Sequence, residues 1–300
     1  MSIIKIVFHP LVLLIGVAGA LCLGYAYFIE PSRLVVNRSD VRINGWNPAF
    51  DGLRIALISD IHGGSNGITE EKIREIVAVT NREEPDLVVL LGDYVSQARE
   101  DKPIRHRSLK MEMGVIADNL QGLRARYGVF AVLGNHDAWA GEANIASELR
   151  RVGFNVLQDE FITIEKDGHS IRILGLKDHL SIRSWKSLSS NLRSAAAAAQ
   201  AGGDIIVLEH SPDIFHALNE TKPLGDEFKL MLAGHSHGGQ VWLPVFGSPI
   251  VPSSYGQKYN RGHIREDGKD MFVTTGIGTS ILPIRFLMPP EIAVITIYAE

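Results

Sequence analysis

Cysteine is almost absent from this sequence: Cys22 is the only one in 300 residues. No internal disulfide can form, and a Cys-rich zinc module is excluded. A basic excess is missing too. Thirty Lys and Arg against 34 Asp and Glu give a formal net charge of −4 with histidine neutral. That balance excludes a general nucleic-acid coat. Charged residues make up 21% of the chain and hydrophobic ones 45%, so the chain is not disordered and buries a sizeable core. There is no internal repeat and no interdomain linker, and no twin-arginine pair precedes the apolar N-terminal segment. Histidine is the exception to this restraint, with eleven residues whose positions carry most of the argument.

Charge is absent altogether from Leu11 to Ile29, a run of 19 residues. That is about the length a helix needs to cross a bilayer. Tyr25, Tyr27 and Phe28 suit the membrane interface. Lys5 and the small residues Ala18-Gly19-Ala20 also fit a cleavable signal peptide, but apolar sequence continues past them. Leu21 before Cys22 argues against lipoprotein cleavage. We read residues 1–30 as an uncleaved, single-pass anchor in the cell (inner) membrane, with the signal peptide as the alternative. Arg33, Arg38 and Arg42 after the span, against Lys5 before it, lean toward a cytoplasmic catalytic domain.

Residues 31–52 read as a lead-in, and residues 53–300 as one α/β domain with a mixed sheet, or two packed sheets. Short apolar runs at 53–58, 87–91, 129–133, 171–176, 205–208 and 229–233 read as strands. Ile73, Ile76, Val77 and Thr80 predict a helix over 70–80 with acids in its first turn. Leu109, Met113, Ile116 and Leu120 predict another, and Ile145–Arg151 a third that stops at Gly153. Ser211-Pro212 reads as a cap followed by Pro at the first helical position, and Ala195–Ala199 as a helix end or surface segment. Val241–Leu243, Met271–Thr275 and Ile292–Tyr298 read as further strands.

Five of the apolar runs end in metal-ligand residues. They lead into Asp60-Ile61-His62, Gly92-Asp93, Gly134-Asn135-His136-Asp137, Glu209-His210 and Gly234-His235-Ser236-His237. In open α/β sheets ligands bind beyond the carboxyl ends of strands, so these tips converge on one crevice. Asp, Asn and His without thiolate suit Mn, Fe or Zn. If Asp-x-His and His-x-His are extended, period-two alternation puts both side chains on one side. Asp178 and His179, after another run, fall outside this set.

The set resembles the signature of calcineurin-like metallophosphoesterases over residues 60–237. The resemblance implies a four-layer α/β/β/α sandwich behind the N-terminal transmembrane helix, and a site for two divalent ions, Mn2+ foremost. By that analogy Asp60, His62 and His237 hold one ion, Asn135, His210 and His235 the other, and Asp93 bridges them with its two oxygens. His136 is the non-ligand histidine that contacts the phosphate or protonates the leaving oxygen. Two such ions clamp an in-line phosphoryl displacement and generate hydroxide at neutral pH. Asp137 either orients this loop or merely stabilises a turn.

Where Ser/Thr protein phosphatases of the superfamily continue Gly-Asp with Asp-Arg-Gly, this chain continues Tyr94-Val95-Ser96-Gln97-Ala98. That argues against a protein phosphatase and leaves the partner of His136 open. The tail Gly276–Ser280, Leu282–Phe286 and Pro289–Ile292 is similar to the bacterial membrane-associated branch. Some enzymes of that kind cleave the pyrophosphate of UDP-2,3-diacylglucosamine. The expected function is therefore hydrolysis of a phosphodiester or pyrophosphate, with a lipid-linked nucleotide such as UDP-2,3-diacylglucosamine as one candidate substrate and no protein partner evident. An exported phosphoesterase for soluble esters and an inactive metal-binding scaffold are the alternatives. Residues 242–246 and 281–290 are either sheet-edge core or an acyl or membrane contact, and Arg261 and Arg285 are candidate phosphate ligands.

Overall fold

A computed structural model describes residues 10–182, 184–198 and 202–300. Lys5 of the charged N-terminus and Ala199 of the alanine run lie outside the described residues. The chain begins with helix α1 (Pro10–Phe28), then strands β1 (Val35–Ile43) and β2 (Leu53–Ile58). There follow α2 (Glu70–Arg82), β3 (Leu87–Leu91), α3 (Met113–Leu120), β4 (Val129–Val132), α4 (Asn135–Arg151) and β5 (Asn155–Val156). The second half runs β6 (Glu160–Lys166), β7 (His169–Gly175), α5 (Trp185–Ala198), β8 (Asp204–Leu208), α6 (Ile214–Thr221) and β9 (Phe228–Ala233). It closes with β10 (Gly262–Glu266), β11 (Lys269–Val273) and β12 (Glu291–Ala299).

These strands make two six-stranded mixed sheets, ordered β1-β12-β2-β3-β4-β5 and β10-β11-β9-β8-β7-β6. The central strands are continuous apolar runs because both of their faces are covered. Along β2, Ala56 and Ile58 join Ile73, Ile76, Met113, Ile116, Ile145 and Leu149 of the helices α2, α3 and α4. Ile55 and Leu57 point the other way and meet Ile173, Ile206 and Leu230 of the second sheet. The far face of that sheet packs Ile205, Val207 and Met231 against Leu188, Leu192, Phe215 and Leu218 of α5 and α6. Helix, sheet, sheet and helix thus stack as the four expected layers.

The expected strands at 53–58, 87–91, 129–133, 171–176, 205–208, 229–233, 271–275 and 292–298 all form, within a residue or two at each end. Other expectations need correction. Val241–Leu243 is not a strand: it makes isolated bridges to Phe286 and Gly247. Helix α6 starts after Asp213 rather than at Pro212, and the Ser211 hydroxyl accepts the Asp213 N–H. Leu109 lies outside α3, bridged to Gln97. The third helix begins ten residues earlier than expected, at Asn135, because two helices meet across a kink at Gly141 (φ 116°). The lead-in contains β1, which pairs in parallel with β12 along nine residues. Its Asn37-Arg38-Ser39-Asp40 centre lacks an apolar run because it forms a sheet edge. Only Val41 and Ile43 are buried.

Helix α1 stands clear of these layers. The segment Val12–Ser32 has mean hydropathy 2.2, and 6% of its most apolar 18-residue window is buried. Its far end is tied down. The Ala26 carbonyl accepts the Arg285 N–H at 3.0 Å, Tyr25 meets Phe286 edge-on, and Asn66 donates to the Tyr27 carbonyl at 2.7 Å. The buried Glu30 carboxylate accepts the N–H groups of Leu287 (2.8 Å) and Met288 (2.7 Å).

Candidate metal centre

The parallel strands β2, β3, β4, β8 and β9 end on one side of the molecule, and their tips bring the predicted residues together. Asp60 Oδ1 lies 3.3 Å from His237 Nε2 and 4.0 Å from His62 Nε2. The two histidine nitrogens are 3.2 Å apart. On the other side His210 Nε2 faces His235 Nδ1 at 3.1 Å. Asp93 Oδ2 lies between the two groups, 3.6 Å from His62 Nε2 and 3.3 Å from His210 Nε2. Asp93 Oδ1 accepts the His136 N–H at 2.8 Å.

The convergence has a different cause from the expected alternation. Asp60 (φ 55°), His62 (φ 46°), His235 (φ 66°) and His237 (φ 50°) are left-handed, as is Asp93 (φ 55°). The ligands sit on tight turns past the strands, not on extended chain. Such backbone costs about 1–3 kcal/mol per residue and persists where the surroundings fix it. Gly92 (φ 90°) belongs to the same crowding, since a Cβ there would stand 2.5 Å from Gly134 N and 2.9 Å from His210 Nδ1.

The donor set fits divalent cations. Asp60 Oδ1 and Asn135 Oδ1 are buried and have no hydrogen-bond partner in the protein. His62 Nδ1 faces the Val95 carbonyl at 3.2 Å, and His210 Nδ1 the Leu91 carbonyl at 2.7 Å. A carbonyl requires the proton on Nδ1, so each Nε2 is turned into the cluster. Burial pushes His62 down to about 3 and His235 to about 4, and it holds His237 well below the usual imidazole range. These rings are neutral lone-pair donors. Burial opposes charge on Asp93 and His210 alike, but each stabilises the other's charge. Asp93 is held well below the carboxylate range and His210 well above the imidazole range. Burial raises Asp60 to about 6. Such crowding of buried carboxylates and imidazoles is what cation binding relieves.

The sequence comparisons agree with this geometry. Residues 53–239 match the model of the calcineurin-like phosphoesterases. The chain belongs to that family. It is 32% identical over 288 residues to the uncharacterized metallophosphoesterase YkuE of Bacillus subtilis, covering 93% of this chain and 92% of the relative. It is 26% identical over 275 residues to the phosphodiesterase YaeI of Escherichia coli, covering 91% of each. A transmembrane protein with metallophosphoesterase domain from Danio rerio is 26% identical over 250 residues, 81% of this chain and 53% of the relative. The chain is accordingly a metal-dependent phosphoric ester hydrolase of the metallophosphoesterase type.

Within this metallophosphoesterase, His136 stands beside the cluster with its ring edge-on to His62, centroids 4.7 Å apart. The partner left open by the sequence is Gln97. Its Oε1 is 2.6 Å from His136 Nδ1, and its amide N–H donates to the His136 carbonyl at 2.8 Å. The only signal for Gln97 was its place four residues past Asp93. Asp137 does orient the loop. Its carboxylate accepts the N–H groups of Asp93 (2.8 Å), Tyr94 (2.9 Å) and Gly134 (2.9 Å), tying the β3 and β4 tips together.

The two arginines singled out from sequence contact the protein's own groups. Arg285 is fully buried and donates to the carbonyls of Thr275, Gly276, Gly278 and Met288, with Nη2 3.4 Å from His237 Nδ1. It supports the ligand loop from behind. Arg261 lies against the Met288 sulfur. Asp178 and His179, left outside the signature, approach the cluster. One ligand atom each from Asp178, His179 and Glu209 lies within 4.8 Å of the others, and the His179 ring is 5.9 Å from that of His235.

Proposed function

We propose that this metallophosphoesterase is a membrane-anchored, two-metal enzyme that hydrolyses a phosphodiester or pyrophosphate, favouring a lipid-linked substrate such as UDP-2,3-diacylglucosamine. The observation that carries the two-metal reading is Asp93 Oδ2 standing between the two histidine groups. Asp60, His62 and His237 would hold one ion, Asn135, His210 and His235 the other, and Asp93 both. When bound, the ions supply Lewis acidity to the phosphoryl group and to the attacking water; Mn2+ is the first choice, with Fe and Zn as alternatives for the same donors.

The chain's own groups do the rest. Gln97 Oε1 accepts the proton on His136 Nδ1, which turns Nε2 to the substrate; with the ring protonated on both nitrogens, the Nε2 proton passes to the leaving oxygen and the ring returns to its neutral Nδ1–H form. Asn135 adds an uncharged oxygen, so the site keeps positive charge for an anionic ester. Asp137 holds the His136 loop and the Asp93 loop at fixed separation.

The lipid reading rests on the anchor and the cleft. His136 opens into a cleft of about 620 Å3 whose lip includes Ile281, Leu282 and Pro283. That lip continues into the segment held by Ala26 at the end of α1 and by Glu30 just past it, and Asn66 donates to the carbonyls of both Pro283 and Tyr27. Val245, Phe246, Ile281 and Leu287 expose 97%, 75%, 84% and 44% of their surface. Exposure at these positions removes the sheet-edge-core reading for them and supports a membrane contact. The arginine count around the span keeps a lean toward a cytoplasmic catalytic domain.

The test assays the full chain in detergent with Mn2+ against an aryl phosphodiester, an aryl monoester and UDP-2,3-diacylglucosamine. Cleavage of the lipid nucleotide far faster than the aryl esters upholds the reading. Turnover of aryl esters alone reduces it to a general phosphodiesterase. No turnover with two bound ions leaves a metal-binding scaffold.

A further inference from the structure

The cleft beside His136 carries three cations that the chain does not neutralise. Residues 96–99 and 107–110 run antiparallel: the Ala98 N–H donates to the Ser108 carbonyl and the Lys110 N–H to the Ser96 carbonyl, both at 2.8 Å. Gln97 bridges Leu109 in the same ribbon. This register sets Arg99 opposite Arg107. Like charges placed so repel and weaken the ribbon. Burial, and then the charge of Arg99, pushes the Lys110 ammonium below its usual range. The nearest acid on the ribbon, Glu100, is taken by Lys102 and Ser108. Among the described residues, no carboxylate lies in ion-pair range of Arg99, Arg107 or Lys110, although neighbouring Lys102 has one.

Backbone carbonyls fix the guanidiniums without quenching them. Arg99 donates one N–H to the Ile281 carbonyl at 2.6 Å, and Arg107 one to the Lys102 carbonyl at 2.8 Å. Each keeps further donors. All three cations line the cleft together with Gln97 and His136. Repulsion left standing at the mouth of a hydrolytic site is relieved by an anion, and a paired guanidinium fork suits phosphate.

We propose that Arg99, Arg107 and Lys110 form a second-anion subsite, selecting esters that carry another phosphate beside the scissile one. The inference rests on the phosphoesterase reading of the His136 site and is independent of the lipid. A pyrophosphate or a phosphorylated head group offers such an anion, and so does a soluble nucleotide.

A matched pair of soluble esters tests it: thymidine 5′-(p-nitrophenyl phosphate) and the same compound with an added 3′-phosphate. The full chain should prefer the second by about tenfold or more in kcat/KM, carried by KM, the effect of one or more charged hydrogen bonds. In the Arg99→Gln/Arg107→Gln double variant, and separately in Lys110→Gln, the ratio should fall toward one. Arg82→Gln, at an exposed arginine that does not line the cleft, should keep the ratio. Binding of inorganic pyrophosphate to the chelator-treated full chain supplies a second readout, expected to weaken about tenfold in the double variant. Bound pyrophosphate without turnover of either ester would sink the hydrolytic reading and leave the subsite standing. Turnover with no preference, or a preference unchanged in the variants, would overturn the subsite. In chains reconstituted in phosphatidylcholine vesicles, a rate response to added phosphatidylglycerol that depends on the three cations, with an unchanged ester ratio, would make them membrane contacts instead and also overturn it.

Discussion

The ligand cluster sits on the tips of five central strands, whereas the cleft wall beside it comes from two irregular segments, 96–110 and 277–288. The cluster is buried, and its side chains are fixed by backbone partners such as the carbonyls of Leu91 and Val95. The wall is exposed at Ile281 and Leu287 and offers cations without partners. The difference separates two tasks. Chemistry requires groups held to fractions of an ångström on rigid elements. Substrate choice is carried by loops that vary without disturbing the sheets.

That division is open to attack in several ways. Asp93→Asn should break the cluster side most severely, lowering hydrolysis by about a thousandfold or more if one oxygen serves both ions. Metal content measured on the purified variant should fall in parallel. Unchanged metal content with lost activity would show that Asp93 orients His136 rather than bridging.

Arg285→Met comes next, and its effect is on folding. The variant removes a fully buried guanidinium and leaves four carbonyls and the Glu30–Asp60–Glu291 surroundings without it. A loss of about 3–5 kcal/mol is expected in chemical unfolding. Stability near that of the parent would show that the loop behind His237 stands without its pillar.

Gln97→Ala should lower kcat by about ten- to a hundredfold with little change in KM, as losses of an orienting partner do. Gln97→Glu, which keeps the acceptor, should recover part of it. An equal loss in both variants would mean that Gln97 only packs.

The smallest effect lies far from the site. Glu83 at the end of α2 joins Arg38 of β1 and Arg54 of β2. The hydrogen bond and charge of Arg38 hold its carboxyl below the usual range. Arg38 is largely exposed, so Glu83→Gln should cost only about 1 kcal/mol at neutral pH. A depressed carboxyl stabilises the fold above its unfolded value near pH 4.3 and loses that contribution as pH falls through its folded value. Parent and variant should therefore converge in acid. A gap that persists in acid would assign the effect to packing.

Legibility follows the same division. The strands could be read, and the eight candidate residues picked out, because an apolar run ending in Asp, Asn or His is local in sequence. Strand β1 could not, since an edge strand with a charged centre shows no such run. Gln97 and Asp137 could not be placed either. Their roles depend on contacts with His136 and with the β3 tip across 39 to 44 residues of sequence. Arg285 could be no more than a candidate phosphate ligand, because the sequence does not show which side of a loop an arginine faces. Arg99 and Arg107 gave no signal, because an arginine in a polar segment reads as solvated surface until its opposite number is known.

The most direct test of the central claim measures bound metal and phosphodiester hydrolysis together on the full chain. Mn2+ is titrated into chelator-treated protein, with bis(p-nitrophenyl) phosphate as substrate. The account predicts two bound ions per chain, activity that appears only as the second site fills, and loss of both features in Asp93→Asn. Hydrolysis that saturates with one ion, or that survives in Asp93→Asn with its metal intact, would contradict it.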